Sequence, residues 1–395
     1  MTDISVWCYP WDLHDIGPQI AAARLADVGA DTVSLATSYH AGRFLQPGNP
    51  RRRIYFPQDG TVYYRPDPAR WAEHEIQPLM ADIVQAEGDM LTWLIKAREA
   101  GGMAVSCWTV CLHNTRLGMQ HPRHVMRTAH GDPHFYALCP SSPAARAYVV
   151  SMVAEITSRY QPDRVELESP DFMGFAHGYH HEKDGVGLLP EDEFLLGLCF
   201  CDHCSSRAKS AGVDADAARQ TVVELLDDAF SRALPARRFD GFPAEGIAAF
   251  SNLPDLHAYL AWRSEPVTSL VAEIRAAADP ASRILLIDAE SSWQGGVDVA
   301  AASRACDGVL LCAYTTPVEK IAPLLDRYRA LIGPDRSLIA GFQVFHPEVA
   351  DAADLAARAA AAGVLADGLN FYNLGLIPQA RLDWIAGAIT AFHPR

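Results

Sequence analysis

The sequence contains no run approaching the roughly 18 continuous apolar residues of a membrane span. It is also short of positive charge: 33 Lys plus Arg stand against 48 Asp plus Glu in 395 residues, a formal charge of −15. The first absence argues against a membrane partner. The second argues against a bulk nucleic-acid binder, because counterion release at phosphates needs clustered Lys and Arg, and the longest basic run is Arg51-Arg52-Arg53. Several enzyme signatures are missing too. No GxGxxG follows the first strand-like segment, and no GxSxG elbow, P-loop or HExxH occurs. Dinucleotide, serine-hydrolase, phosphotransfer and zincin chemistries therefore have no motif to stand on. Nine cysteines is an odd count, unevenly spread, which suits a metal site in a reducing compartment better than a disulfide framework. Met1-Thr2-Asp3-Ile4 leads straight into strand-like residues without a signal-peptide pattern, so a cytoplasmic location is expected.

What is present is ample apolar material, 49% hydrophobic against 21% charged, arranged with a clear rhythm. Short apolar or β-branched runs alternate with longer helical patterns: Ile4 to Tyr9, Asp31 to Thr37, Met103 to Val110, Asp163 to Ser169, Arg283 to Ala289, Asp307 to Tyr314, Ser337 to Phe345 and Asp367 to Asn373. Such alternation predicts a parallel sheet covered by helices. Eight units of this kind predict a (β/α)8 TIM barrel, in preference to a doubly wound open sheet with fewer strands. Gly29 and Gly363 fit helix stops ahead of the second and eighth runs. No internal repeat beyond this unit is evident. The expected domain is a single barrel over 1–395, interrupted by a lid-like insertion at 41–87 and a longer one at 170–279. Both insertions leave strand C-termini, where barrel active sites are built.

The sharpest local signal is Cys199-x-Cys201-x-x-Cys204. Three thiolates in one short turn suit tetrahedral Zn²⁺ with a fourth ligand from elsewhere. Cys139 is the candidate for that place and His203, inside the turn, is its rival. A site with four protein ligands would be structural, and no organic cofactor is implied. The other cysteines, Cys8, Cys107, Cys111, Cys306 and Cys312, fall in or just beyond strands and read as core thiols.

The fourth run carries Glu166 and Glu168 on one face of a strand, with Val165 and Leu167 on the other. If the apolar pair meets the helices, both carboxylates face the barrel axis. Burying two like charges is costly, so they must be paired, metal-bound or raised in pKa. A raised pKa suits a general acid. The competing reading of Glu166 is an ion pair with a basic residue in the barrel floor. The fifth run exits its apolar core into Asp288, Glu290 and Trp293, and Asp288 or Glu290 could partner Glu168 across a glycosidic bond. Trp7, Tyr9, Trp11, Tyr39, His40, Trp108, His113, Tyr314, Gln343 and Tyr372 lie at or near strand ends and are candidate sugar contacts, although aromatic rings also fill ordinary cores. His177-Gly178-Tyr179-His180-His181-Glu182 offers His180 and His181 to a metal or a substrate hydroxyl.

One segment carries a family likeness. Leu138-Cys139-Pro140-Ser141-Ser142-Pro143-Ala144-Ala145-Arg146, then a helix, a strand ending in Glu and the cysteine triplet, resembles the β-galactosidases of glycoside hydrolase family 42 over about Ala137 to Arg207. The resemblance implies a zinc bound by Cys139, Cys199, Cys201 and Cys204, a general acid nearest to Glu168, a small carbohydrate substrate and a homo-oligomer. The chain departs from that pattern in two places. Glu168 is not preceded by Asn, and the seventh run reads Gly341-Phe342-Gln343-Val344-Phe345-His346, with no carboxylate until Glu348 where the family has its nucleophile. β-Galactosidase activity and retention of configuration therefore do not carry over. The function expected is a glycoside hydrolase-like enzyme using carboxylate acid/base chemistry. Two alternatives are a sugar isomerase or epimerase, with Mn²⁺ or Mg²⁺ held by Glu168, Glu290 or Asp288 and His180 or His346, and a non-catalytic carbohydrate-binding barrel, suggested by Gln343.

Overall fold

In the computed structural model, which describes residues 3–176 and 182–393, all eight runs are strands of one closed sheet. They are β1 (Asp3–Cys8), β2 (Thr32–Tyr39), β3 (Ala104–Val110), β4 (Arg164–Glu168), β5 (Arg283–Asp288), β6 (Gly308–Cys312), β7 (Ser337–Gln343) and β8 (Gly368–Tyr372). Each pairs in parallel with its sequence neighbours, and β8 closes on β1. The covering helices are α1 (Pro18–Asp27), α2 (Met90–Glu99), α3 (Pro143–Tyr160), α4 (Ser264–Ala277), α5 (Val299–Ala305), α6 (Val318–Ile332), α7 (Ala352–Ala362) and α8 (Leu382–Ala391). The chain is a (β/α)8 TIM barrel. Its helices turn apolar faces to the strands, as Ile321, Leu325 and Tyr328 of α6 do. No described helix is long and apolar enough to cross a membrane.

An aspartate recurs at the start of every second strand, and its position explains why. Asp31, Asp163, Asp307 and Asp367 precede β2, β4, β6 and β8. Each accepts the first free N–H of the strand before it: Ile4 at 3.0 Å, Val105 at 2.8 Å, Ile284 at 2.7 Å and Leu338 at 2.8 Å. Arginines of α2, α4 and α6 hold three of these carboxylates, Arg98 on Asp163, Arg275 on Asp307 and Arg329 on Asp367. Orphan strand-end donors must be satisfied, and here one carboxylate serves both a strand N–H and a helix arginine. The barrel therefore has a two-unit period that hydrophobicity alone does not reveal.

Alternation across the sheet decides what faces the axis. On β4, Val165 and Leu167 join the helix-facing core, and Glu166 and Glu168 point inward. On β5 the phase is opposite at the strand end. Glu166 pairs in register with Leu285, so Leu285 and Ile287 share the axial cluster with Trp7 and Trp108, and Asp288 falls on the helix side. There Tyr328 of α6 donates to its Oδ2 at 2.7 Å.

The excursions from the barrel are more structured than loops. In segment 41–87 a small hairpin pairs Phe44–Leu45 with Ile54–Tyr55, and Thr61–Val62 runs antiparallel to the end of β2, with Leu79–Met80 beside it. A further excursion follows β3, with a helix at Thr115–Gln120 and the ribbon Val125–Arg127/Pro133–Leu138, which delivers Cys139 to the start of α3. The sequence pattern gave no sign of it. After β4 come helices Pro190–Leu196, Asp202–Ser210, Ala215–Ser231 and Pro254–Trp262.

Candidate active site

Arg164, at the start of β4, lies on the axis and organises the barrel floor. It pairs with Glu166 (2.7 Å) and donates to Asp3. Glu166 also accepts from Ser34 at 2.7 Å, from Ser106 at 2.9 Å and from the indole of Trp7, and it is fully buried. Both its oxygens are thus committed to side chains of β1 to β4. Two residues higher, Glu168 accepts the indole N–H of Trp108, whose ring stacks on Trp7 at 4.8 Å. The stacked indoles thus serve one glutamate each. Burial pushes the Glu168 carboxyl up to about 7, against the pull of the Trp108 donor.

Ser169 adopts left-handed backbone, φ 51°, at the exit of β4. That conformation is rare for a residue with a Cβ and clusters at functional turns. The turn returns the chain over the axis, Leu112 N–H bonding Ser169 O at 3.1 Å and Phe172 N–H bonding Gly295 O at 3.0 Å. Asp171 is placed in this way beside Glu168. Its carboxyl is also raised to about 7, first by burial and then by the charges of Asp288 and Glu168, with Arg263 opposing. Gly295 makes room for it, since a Cβ there would come within 2.2 Å of Asp171 Oδ2. Asp288 completes the group; burial raises its carboxyl against the neighbouring hydroxyls of Ser292 and Tyr328.

Glu168, Asp171 and, at its edge, Asp288 border an open cleft of about 440 Å³ over the ends of β4 to β6, walled by Phe172, Phe175, Phe194, Phe242 and Pro243. The volume falls in the range of small-molecule sites. Cys312, expected as a core thiol, is half-buried and lines the cleft, and burial pushes its thiol up to about 12.

The sequence-derived candidates divide sharply. Glu168 and Asp288 reach the cleft. Glu290 does not: it continues the outward phase of β5, is 62% exposed and pairs with Arg327 of α6 at 2.7 Å. Trp7, Tyr9, Trp11, Tyr39 and Trp108 are almost wholly buried. Tyr9 stacks on Trp11 at 4.4 Å, and its hydroxyl bonds those of Tyr39 at 3.1 Å and Tyr372 at 2.9 Å. Phe44, Tyr55 and Tyr63 of segment 41–87 roof this cluster. It therefore packs the mouth over β1 to β3 rather than presenting open stacking faces. His40 and His113 stack on each other at 4.1 Å beside Tyr39. Tyr314 and Tyr372 are half-buried, parallel and 5.8 Å apart, and Gln343 is buried in register with Tyr372. His346 is exposed beyond β7. His180 and His181 lie outside the described residues. Asp171 and the phenylalanine wall were not singled out from sequence. The available signal for Asp171 was a polar residue just past the C-terminal end of β4, behind Ser169-Pro170.

Behind the cleft wall, the Sγ atoms of Cys139, Cys199, Cys201 and Cys204 lie within 4.8 Å of one another, all buried, and can hold a metal ion. Cys139 Sγ is 3.4, 3.5 and 3.9 Å from those of Cys204, Cys201 and Cys199. Tetrahedral ligands about 2.3 Å from a central Zn²⁺ would be roughly 3.8 Å apart, so the set fits. Backbone N–H groups of Arg127 and Ser141 point at Cys199 and Cys139, each at 3.4 Å, a donor shell suited to thiolates. His203 is not in the group and stacks on His124 instead. The centre joins the excursion after β3 to the turn that follows Pro190–Leu196, the helix bearing Phe194.

No family model matches the chain, and no curated protein sequence does. Among solved structures, it is similar to α-L-fucosidase isoenzyme 2 from Paenibacillus thiaminolyticus, with 13% identity and a TM-score of 0.54 over 99% of this chain and 49% of that one. It is similar as well to a polyextremophilic β-galactosidase from the Antarctic haloarchaeon Halorubrum lacusprofundi, with 15% identity and a TM-score of 0.59 over 98% of this chain and 57% of that one. The chain thus spans about half the length of these two enzymes. At such identities the likeness is one of fold.

Proposed function

We propose that this barrel is a glycoside hydrolase-like enzyme acting on a small carbohydrate in the cleft over β4 to β6. The carrying observation is the pair Glu168 and Asp171, both raised to about 7 in one apolar-walled cleft. Two carboxyls that burial makes titrate near neutrality hold about one proton between them at pH 7. That is the state needed for one acid and one base. Because the Trp108 indole occupies Oε2 of Glu168, Oε1 is left to carry the proton.

In the reaction, Glu168 protonates the glycosidic oxygen as the bond to the anomeric carbon breaks. Asp171 then either takes a proton from the attacking water or bonds to the anomeric carbon and is released by water in a second step, with Glu168 acting as base. Asp288 supports the loop carrying Ser292 and Gly295 and adds negative charge against the cationic transition state. The two neighbours of similar fold are named as a fucosidase and a galactosidase, which agrees with this chemistry. The metal of the four-cysteine centre is proposed to be a structural Zn²⁺. It would brace the wall bearing Phe194 and take no part in proton transfer.

A panel of aryl glycosides in both anomeric series tests the proposal. Hydrolysis of at least one should fall about 10²- to 10⁴-fold in Glu168→Gln, the usual range for a lost general acid. Unchanged turnover in that variant would remove Glu168 from the chemistry. NMR of the first-formed product anomer separates the two routes.

A further inference from the structure

Among the described residues four arginines are buried, Arg146, Arg164, Arg263 and Arg358. Three of them meet a carboxylate: Arg146 on Glu273 at 2.7 Å, Arg164 on Glu166 at 2.7 Å and Arg358 on Asp354 at 3.2 Å. Arg263 is 2% exposed, takes part in no ion pair among the described residues, and leaves its Nε without a hydrogen-bond partner. Its guanidinium lies instead over the rings of Phe172 at 4.8 Å and Phe194 at 5.9 Å. Ring contacts return part of the cost of burying a charge, yet buried charges are ordinarily paired. Packing between two phenylalanines would be served as well by an apolar side chain, so the charge and its donors need another account.

That account lies in what Arg263 touches. The residue follows the helix Pro254–Trp262, which Tyr259 fastens to the cysteine turn by donating its hydroxyl to Cys199 O. From there the side chain reaches both segments that place Asp171. Its Nη1 donates to Gln294 O at 2.9 Å, and its ring contact is with Phe172, the residue after Asp171. The two segments meet at the same point, Phe172 N–H bonding Gly295 O at 3.0 Å. No side chain could be added there: a Cβ on Gly295 would come within 2.2 Å of Asp171 Oδ2, and one on Gly296 within 2.9 Å of Arg263 O and 3.3 Å of Phe172 Cδ2. Glu168 depends on none of this, since β4 pairing and the Trp108 indole hold it.

We propose that Arg263 is a positioning residue for Asp171: it clamps the turn at 171–172 to the segment 294–296 and thereby sets where the Asp171 carboxylate stands against Glu168. The inference rests on the reading of Glu168 and Asp171 as the reacting pair. It gives the two members different supports, a barrel strand for the acid and a buried cross-link for its partner. The charge of Arg263 acts in the same sense. Of the charged groups around Asp171 among the described residues, Asp288 and Glu168 disfavour its ionisation and Arg263 favours it, which leaves the shared proton to Glu168.

The test is a mutant cycle on the full chain with Arg263→Met, Arg263→Lys, Asp171→Asn and the double variant Arg263→Met/Asp171→Asn. An apolar side chain of similar volume is well tolerated in place of a buried charge, so Arg263→Met should fold with the metal content of the parent. On an aryl glycoside that the parent hydrolyses, it should lower kcat about 10- to 100-fold, as a misplaced reacting group does, with KM changed less than about threefold. Arg263→Lys keeps the charge and a donor and should be at least about threefold faster than Arg263→Met. The double variant should lie within about twofold of Asp171→Asn alone, because the clamp then has nothing to hold; independent effects would multiply. Crystal structures should show the Asp171 carboxyl displaced in Arg263→Met while Glu168 and the barrel strands superimpose on the parent. Loss of metal from Arg263→Met, a lysine variant no faster than the methionine one, effects that multiply, or an unmoved Asp171 would each overturn the inference. Should Arg263→Met not fold, Arg263→Lys takes its place in the cycle and in the crystal comparison. Hydrolysis of no aryl glycoside, or an Asp171→Asn protein as fast as the parent, overturns the reading of the reacting pair instead, and the crystal comparison then decides the clamp by itself.

Discussion

Glu166 and Glu168 sit two residues apart on the same face of β4, yet the structure requires opposite responses to mutation. Glu166 is fully buried and takes four donors, from Trp7, Ser34, Ser106 and Arg164. Arg164 is itself 1% exposed and already has an unpaired Nη2. Removing the carboxylate in Glu166→Ala leaves a buried guanidinium with Asp3 as its remaining charge partner. Breaking a buried pair from one side costs about 3–5 kcal/mol. At roughly 1.2 °C per kcal/mol for a chain of 395 residues, melting should fall by about 4–6 °C. Glu166→Gln should also destabilise, because its amide presents N–H to donors that need an acceptor. Glu168 has one donor and a carboxyl raised to about 7 by burial. Its replacement by Gln removes an unfavourable buried acid, so stability should stay within about 1 kcal/mol of the parent while turnover collapses. Differential scanning calorimetry and turnover measured side by side decide the matter. A Glu166→Ala protein that melts within about 2 °C of the parent would refute the ion-pair role. A folded Glu166→Gln protein as inactive as Glu168→Gln would refute the division of labour.

Further outcomes follow from the same geometry. The acid limb should be visible in the pH profile: Glu168 must be protonated to donate, so kcat should decline as pH rises through about 7, and aryl leaving groups of low pKa should be less affected. Stability carries the same sign. The folded-state carboxyls of Glu168, Asp171 and Asp12 are raised to about 7, so the native state binds more protons than the unfolded chain between about pH 4 and 7. Their contribution is full below that window and lost as pH rises through it, and calorimetry from pH 5 to 8 reads it directly. Gly295→Ala should drive a methyl against Asp171 Oδ2, costing about 1–3 kcal/mol and lowering kcat more than it raises KM; a variant as active as the parent would show that Asp171 is not held there for chemistry. Tyr9→Phe deprives the Tyr39 and Tyr372 hydroxyls of a partner and should cost about 1–3 kcal/mol with KM unchanged; a raised KM would show that this cluster meets substrate. Thiol modification of Cys139, Cys199, Cys201 and Cys204 under denaturing conditions should release one zinc per chain. A chelator that removes it from the folded protein should lower the melting temperature and loosen the Phe194 wall.

The sequence alone determined the parts of this protein that are repetitive or local. Eight apolar runs became eight barrel strands because alternating β and α segments have few ways to bury their apolar faces together, and each run was long enough to be counted. The Glu166/Glu168 phase was legible for the same reason, since Val165 and Leu167 had to meet the helices. The cysteine triplet was visible through its spacing, and Cys139 lies with it in the fold. Tertiary structure decided the rest. Whether Asp288 and Glu290 face the axis depends on the register between β4 and β5, which no single strand encodes. That register turned Glu290 out to Arg327 and left Asp288 at the edge of the cleft. Asp171 entered the site through one left-handed residue, Ser169, and a contact with Gly295, more than 120 positions further along the chain. The aromatic residues at the strand ends divided between packing and exposure according to where segment 41–87 settles. Local pattern fixes which face a side chain occupies on its own strand; only the closed barrel fixes what stands opposite it.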